Sequence, residues 1–403
     1  MHWIFVLVTF LAFSTIKCDL LTKAENENRL STCGKNVKSK VYNGREVNRT
    51  VSPWAVFLKM NTDNETLSST MCSGTVISPR HILTSTHCFA KFDVQIGWSD
   101  LKNGVLDREK CDNDHYHITD PYILGNTKIM AAKLEQLNEY PEKITLVNGC
   151  MLKKLKRHKA MMQIDDLAIV HLFKELSFSA SVQQACVSNT QKDHSHMKIL
   201  DYYGFGLKPN TTDTMLDDWH DHTSTGVLRH ESIKCGVSMK NGGIPHFFSA
   251  AEPNHTTIAC QGDSGGGAVA KINQRTTVVG VLSQSSCALP RKRIGQTAVE
   301  IYASVAFYST LVCQYAGICE AAEYDKYHKG YVREPQPANR QPVPSEPTMR
   351  DSKGFIIPGR PAIRKDELMD SYNAIDGELV INGAMHVFSA LVFQFVIYLL
   401  VLG

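Results

Sequence analysis

A serine hydroxyl is a poor nucleophile at neutral pH and needs an adjacent base before it can attack a carbonyl. Three segments of this chain supply the residue types for such chemistry. Ser264 lies in Cys260-Gln-Gly-Asp-Ser264-Gly-Gly-Gly267, where the glycines let the backbone turn so that N–H groups converge. His87 ends the segment Cys72-Ser-Gly-Thr-Val-Ile-Ser-Pro-Arg-His-Ile-Leu-Thr-Ser-Thr-His87-Cys88. Asp166 opens Asp166-Leu-Ala-Ile-Val-His-Leu172, and its neighbour Asp165 leaves a second reading in which the acid only caps a turn. In that order, His87 would accept the Ser264 proton and return it to a leaving amine. Asp166 would fix the imidazole tautomer and stabilise the imidazolium.

Elements that could position these residues are short. Apolar runs at Trp54–Leu58, Gly74–Ser78, Leu167–Leu172, Ala268–Ile272, Thr277–Leu282 and Ile301–Phe307 are separated by Gly, Asn, Pro and Ser. Such runs read as strands of an all-β domain with few long helices. The composition agrees: 43% hydrophobic and 21% charged residues exclude wholesale disorder. A formal net charge of +3 and no basic stripe longer than Lys153–Arg157 leave no electrostatic footprint for nucleic acid.

Both ends read as targeting segments. Ile4–Phe13 is an apolar run broken only by Thr9, followed by small and polar residues, the pattern of a secretory signal cleaved near Cys18. Four sequons, at Asn48, Asn64, Asn210 and Asn254, fit a secreted glycoprotein. Residues 320–384 turn polar and Pro-rich, which predicts a disordered stalk. Val387–Leu402 carries no charge and no basic tail follows it. That fits a GPI-attachment signal, with Asn373-Ala374 or Asp376-Gly377 as attachment region, or else a single C-terminal membrane helix. The expected order is a signal peptide over 1–18, a propeptide or light-chain segment over 19–40, one domain over 41–319, the stalk over 320–384 and the hydrophobic tail over 385–403.

From about Val41 to Leu311 the chain resembles the chymotrypsin/trypsin family of serine peptidases, on the His87, Asp166 and Ser264 motifs in the family's order. It is more loosely similar to the atypical trypsin-like group expanded in nematodes. The resemblance implies two six-stranded antiparallel β-barrels with a C-terminal helix. It implies an oxyanion hole from the amides of Gly262 and Ser264, a serine endopeptidase activity and no cofactor. Ser283 matches a family serine that supports the buried aspartate. Lys40 followed by Val41-Tyr-Asn-Gly44, a twelve-residue step before Pro53, matches a zymogen cleavage site, and the freed ammonium of Val41 would pair with Asp263. Cys72–Cys88, Cys260–Cys287 and Cys33–Cys186 match family bridges, and Cys111–Cys150 is expected to close an insertion between His87 and Asp166. Cys235, Cys313 and Cys319 are left unassigned, with at least one thiol free or paired between chains. Implied partners are protein or peptide substrates, an activating protease, protease inhibitors and, through the tail, a membrane.

The departures concern specificity. By the same alignment Ile258 is the pocket floor, where trypsin-type enzymes carry an aspartate, so a substrate Arg or Lys has no partner there. Ser283, Gln284 and Ser285 form one wall, with Ser285 narrowing the mouth. Glu300 stands on the other wall. Pointing inward, it could take a basic side chain; pointing outward, the preferred orientation, it leaves a small apolar pocket. A catalytically weak binding or scaffold protein on the same fold is the alternative to an endopeptidase. No metal site is expected, and Asp114-His-Tyr-His117 and His220-Asp-His222 read as solvated loops.

Overall fold

The computed structural model describes residues 20–35, 50–61, 69–93, 97–100, 106, 108–131, 135–137, 139–150, 165–206, 226–241, 244–253, 257–285, 287 and 299–333. Lys40, Val41, the four sequons, His220, His222, the signal segment and everything after Arg333 lie outside these residues. No helix among the described residues is long and apolar enough to cross a membrane.

Strands dominate, and they fall into two halves, antiparallel apart from the short parallel pairing of Cys186–Val187 with Thr277–Val278. The first half holds β1 (Ala55–Asn61), β2 (Ser69–Ser78), β3 (His81–Thr84), β4 (Ala90–Asp93), β5 (Gly97–Asp100), β6 (Cys111–Asp112), β7 (His115–Ile118), β8 (Thr127–Ala131), β9 (Glu135–Gln136), β10 (Pro141–Leu146) and β11 (Ala168–Leu172). Nine of these form one sheet in the order β6-β7-β10-β11-β3-β2-β1-β8-β9, and β4 pairs with β5. The second half holds β12 (Cys186–Val187), β13 (Ile199–Gly204), β14 (Arg229–Asn241), β15 (Ile244–Ala251), β16 (Gly267–Ile272), β17 (Arg275–Ser285) and β18 (Glu300–Ser304). Its order β17-β16-β13-β14-β15-β18 is closed by pairing of β18 with β17, giving a six-stranded barrel. The all-β chymotrypsin-like arrangement expected from the resemblance is therefore present. One barrel is closed, and the other half is a larger sheet in which no pairing among the described residues joins β9 to β6.

The cores explain why the strands read as apolar runs rather than clean alternations. In β1, Val56, Leu58 and Met60 pack inside the first half, whereas Ala55 and Phe57 face the seam between halves. In β16, Ala268 and Ala270 face the second barrel while Val269 joins Phe57 and Phe205 in the seam. Strands buried on both faces carry apolar residues at successive positions. The seam also takes Val305, Tyr308, Val312 and Tyr315 of a helix.

Among the described residues four α-helices punctuate the strands: α1 (Lys23–Thr32), α2 (Pro121–Asn126), α3 (Val305–Ala316) and α4 (Tyr324–His328). The apolar run Ile301–Phe307 splits at Ser304, whose side chain accepts from Phe307 N and caps α3. Gly317, at φ 67°, ends that helix in the left-handed conformation. Thr22 and Glu25 form a capping box that starts α1.

Five disulfides occur among the described residues: Cys33–Cys186, Cys72–Cys88, Cys111–Cys150, Cys260–Cys287 and Cys313–Cys319. They imply an oxidising compartment and thus an extracellular protein. Of the three cysteines left unassigned by sequence, Cys235 is the buried free thiol, and desolvation pushes it up to about 12.

Two expectations need correction. Residues 114–117 are not a solvated loop: His115 and Tyr116 are buried in β7, and both His115 and His117 pack on Tyr315 of α3. The stretch 320–333, placed with the stalk on composition, is folded. Tyr324 OH donates to Leu21 O at 2.7 Å and Arg333 pairs with Glu25 at 2.6 Å.

Candidate active site

His87 sits in a single 3-10 turn, Thr86–Cys88, immediately after β3. Its ring Nδ1 lies 2.8 Å from Asp166 Oδ2, and its backbone N donates to Asp166 Oδ1 at 3.0 Å. Ser283 Oγ donates to the same Oδ2 at 2.6 Å. Asp166 is 3% exposed. Burial alone would raise its pKa, but the His87 ring and the bonds from His87 and Ser283 outweigh it and hold the carboxyl below the ordinary range. An ionised Asp166 keeps the imidazole proton on Nδ1 and leaves the Nε2 lone pair available as a base.

Asp165 and Asp166 part company in space. Asp165 is turned to the seam, where Tyr308 OH of α3 donates to its Oδ1 at 2.6 Å and Trp98 Nε1 donates to its carbonyl at 3.1 Å. The doublet that left two readings open in sequence thus has one member toward His87 and one toward the helix.

Ser264 lies on the turn between the Cys260 segment and β16, and its carbonyl accepts from Ser73 N of β2 at 2.7 Å. Gly265, at φ 81°, has no room for a side chain: a Cβ would stand 2.1 Å from Thr84 Oγ1 and 2.5 Å from Ser73 O. That contact seats the serine turn directly on the segment leading to His87. Leu282 O gathers the three parts, accepting from Gly265 N at 2.8 Å and from Ser85 Oγ at 2.5 Å, one residue before Ser283. Among the described residues no acceptor is bonded to the amides of Gly262 and Ser264. Ser73 Oγ also holds Gly262 O at 2.9 Å and accepts from Phe205 N at 3.0 Å. Ser73, Thr84, Ser85 and Tyr308 are positioning residues that the sequence reading missed. Ser73, Thr84 and Ser85 lie inside the His87 motif, but nothing in that motif says they reach across to Ser264 or β17.

Asp263 is turned away from the cleft and buried. Its Oδ1 accepts from Gly206 N at 2.7 Å and its Oδ2 from Cys260 N at 2.8 Å. Burial drives its pKa up to about 7, against the pull of those two amides. Arg229, whose Nη1 donates to Gly206 O, also pulls it down but does not offset the burial.

The residues read as a pocket also come together. Ile258 is half-buried and Ala259 fully buried. Glu300 points inward, contrary to the outward orientation preferred from sequence. It is 1% exposed, accepting from Ala259 N at 2.7 Å and from Tyr302 OH at 2.5 Å. The reason is the barrel: strand alternation in β18 and the Ser285–Glu300 register with β17 leave this side chain no outward face. Ser285 Oγ donates to Ala259 O.

Residues 3–319 match a family model described as the nematode trypsin-6-like family. The chain is also 22% identical over 262 residues to the CLIP domain-containing serine protease B15 of Anopheles gambiae, an alignment that covers 62% of this chain. It spans about two thirds of that relative, 64% of its length.

Proposed function

The chain belongs to the nematode trypsin-6-like family, and from that premise we propose that it is a serine endopeptidase, made as a zymogen and cleaved at Lys40–Val41. The observation that carries this reading is Asp166 held between His87 Nδ1 and Ser283 Oγ, with the Ser264 turn tied to the same β17 carbonyl that bonds Ser85.

Catalysis would run as follows. His87 Nε2 takes the proton of Ser264 Oγ as that oxygen bonds to the substrate carbonyl carbon. Negative charge moves onto the carbonyl oxygen, where the Gly262 and Ser264 amides can receive it. One such donor contributes about 3–4 kcal/mol. The imidazolium then protonates the amine, the C–N bond breaks, and water delivered through the same base releases the acyl group.

Activation supplies what Asp263 lacks. Cleavage after Lys40 would free the Val41 ammonium, which would pair with the buried carboxylate and order the oxyanion turn. A buried pair of this kind is a switch more than a source of stability. Secretion through the N-terminal signal, glycosylation at the sequons, and tethering by a GPI anchor or a C-terminal membrane segment complete the proposal. Its partners would be peptide or protein substrates, an activating protease and inhibitors.

A fluorophosphonate probe tests it. Label is expected on Ser264 only after Lys40–Val41 cleavage, and not in Ser264→Ala. Absence of label from correctly cleaved protein would overturn the hydrolytic reading in favour of a binding or scaffold role.

A further inference from the structure

By the family resemblance, a side chain next to the bond attacked by Ser264 enters between the two segments that flank the serine turn. These are residues 257–262 just before it and Ser283–Ser285 at the end of β17, joined by Cys260–Cys287. The first segment is bonded to the barrel along its length. Thr257 Oγ1 donates to Glu231 Oε2 of β14 at 2.8 Å. Ala259 N donates to Glu300 Oε1 of β18 at 2.7 Å. Ser285 Oγ of β17 crosses to Ala259 O. Cys260 N donates to Asp263 Oδ2 at 2.8 Å.

One residue, Ala259, is therefore held at its N–H by Glu300 and at its carbonyl by Ser285, which stand opposite each other in the β17–β18 register. Behind it Glu300 takes the Tyr302 hydroxyl, and burial raises the pKa of Glu300 and of Glu231 on β14. A carboxylate at the back of an open slot would be wetted. Glu300, Ala259 and Tyr302 are at most 2% exposed, so almost none of their surface is open to water.

We propose that the Ser285 and Glu300 side chains close this slot, so that the protein accepts only a small residue (Gly, Ala or Ser) before the scissile bond and rejects large apolar and basic ones. The inference rests on the hydrolytic reading but names its own determinants. A substrate ammonium could meet Glu300 only by parting Ser285 from Ala259 O and Ala259 N from Glu300. A larger side chain forced into a filled site costs about 1–3 kcal/mol or more.

Two measurements on protein cleaved at Lys40–Val41 separate this from the parent reading. First, turnover of a peptide library: Ala is expected over Leu, Phe and Lys by about 100-fold, the upper end of that penalty at about 1.4 kcal/mol per tenfold. Ser285→Gly, which removes only the bridge to Ala259 O, is expected to admit Val and Leu with at least a tenfold relative gain. A native preference for Leu, Phe or Lys would overturn the proposal, as would an unchanged profile in Ser285→Gly. Second, calorimetric binding of the same peptides to Ser264→Ala reads the slot without catalysis. Selective binding of small residues there supports the closed slot even if the fluorophosphonate test fails. Equal binding of all peptides, preference for large ones, or binding of none overturns it.

Discussion

Asp166 accepts three hydrogen bonds and gives the site its polarity. Asp166→Asn keeps the shape but reverses the Nδ1 contact, so the imidazole holds the wrong tautomer. The expected outcome in the cleaved protein is a kcat lower by on the order of 10⁴-fold with KM little changed, read by steady-state kinetics. Asp263 makes a second residue-scale prediction with a definite sign. Its folded pKa of about 7 lies above the ordinary 3.8, so the uncleaved native chain binds more protons than the unfolded chain between those values. The stability that follows is fully present below the unfolded pKa and is lost as pH rises through about 7. The loss should be on the order of 4 kcal/mol by linkage. Urea midpoints of an uncleavable Lys40→Gln chain at pH 5 and pH 8 should show the part of it that falls above pH 5, roughly 2–3 kcal/mol, and Asp263→Asn should flatten the difference. In cleaved protein the Val41 ammonium should flatten it as well; a slope that persists there would count against the pairing of Val41 with Asp263.

At the scale of elements, α1 is built into the fold rather than tethered to it. Arg29 is buried; desolvation pulls its guanidinium down to about 10, with Glu320 opposing. Its Nε donates to Asn26 Oδ1 at 3.0 Å and its Nη2 to Cys319 O at 3.2 Å, while Asn26 Nδ2 donates to the same carbonyl at 2.9 Å. Leu21 N donates to Ala316 O at 3.0 Å, and Gly34 N and O pair with Gln184 and Thr276. Arg29→Ala leaves buried acceptors without a charged donor and should cost about 2–3 kcal/mol of unfolding free energy, measured by urea denaturation. The same contacts predict that breaking Cys33–Cys186 alone will not release α1. After Lys40–Val41 cleavage, a Cys33→Ser, Cys186→Ser chain should still elute with its light segment in native gel filtration. Separation of the two pieces under those conditions would show that the disulfide, not the packing, retains α1.

For the whole molecule, the boundary of the folded unit is a matter of contacts between distant ends. Tyr324, His328 and Arg333 close over α1 and α3 through Leu21 O, Cys313 O and Glu25. A chain ended after Arg333 should therefore keep these contacts. One ended at Cys319 should melt several degrees lower, as expected for a loss of about 1–2 kcal/mol in a domain of this size. Equal Tm values for the two chains would place 320–333 outside the folded unit. The sequence by itself determined the all-β class, since apolar runs with turn residues between them are a local signal. It also singled out His87, Asp166 and Ser264, because three local motifs stand in the order of the family that the chain resembles: a cysteine beside the His, an apolar run after the Asp, glycines around the Ser. The family resemblance that those motifs carry implies Cys33–Cys186, Cys72–Cys88 and Cys260–Cys287, and Cys111–Cys150 is expected to close an insertion; all four are present. Only the tertiary structure decided which way Glu300 points, which aspartate of the doublet meets His87, that Cys313 joins Cys319, and that 320–333 packs on α1. Each of these depends on which face of a strand or helix meets an element far away in sequence, and pairwise contacts of that kind leave no periodicity or composition for a linear reading to find.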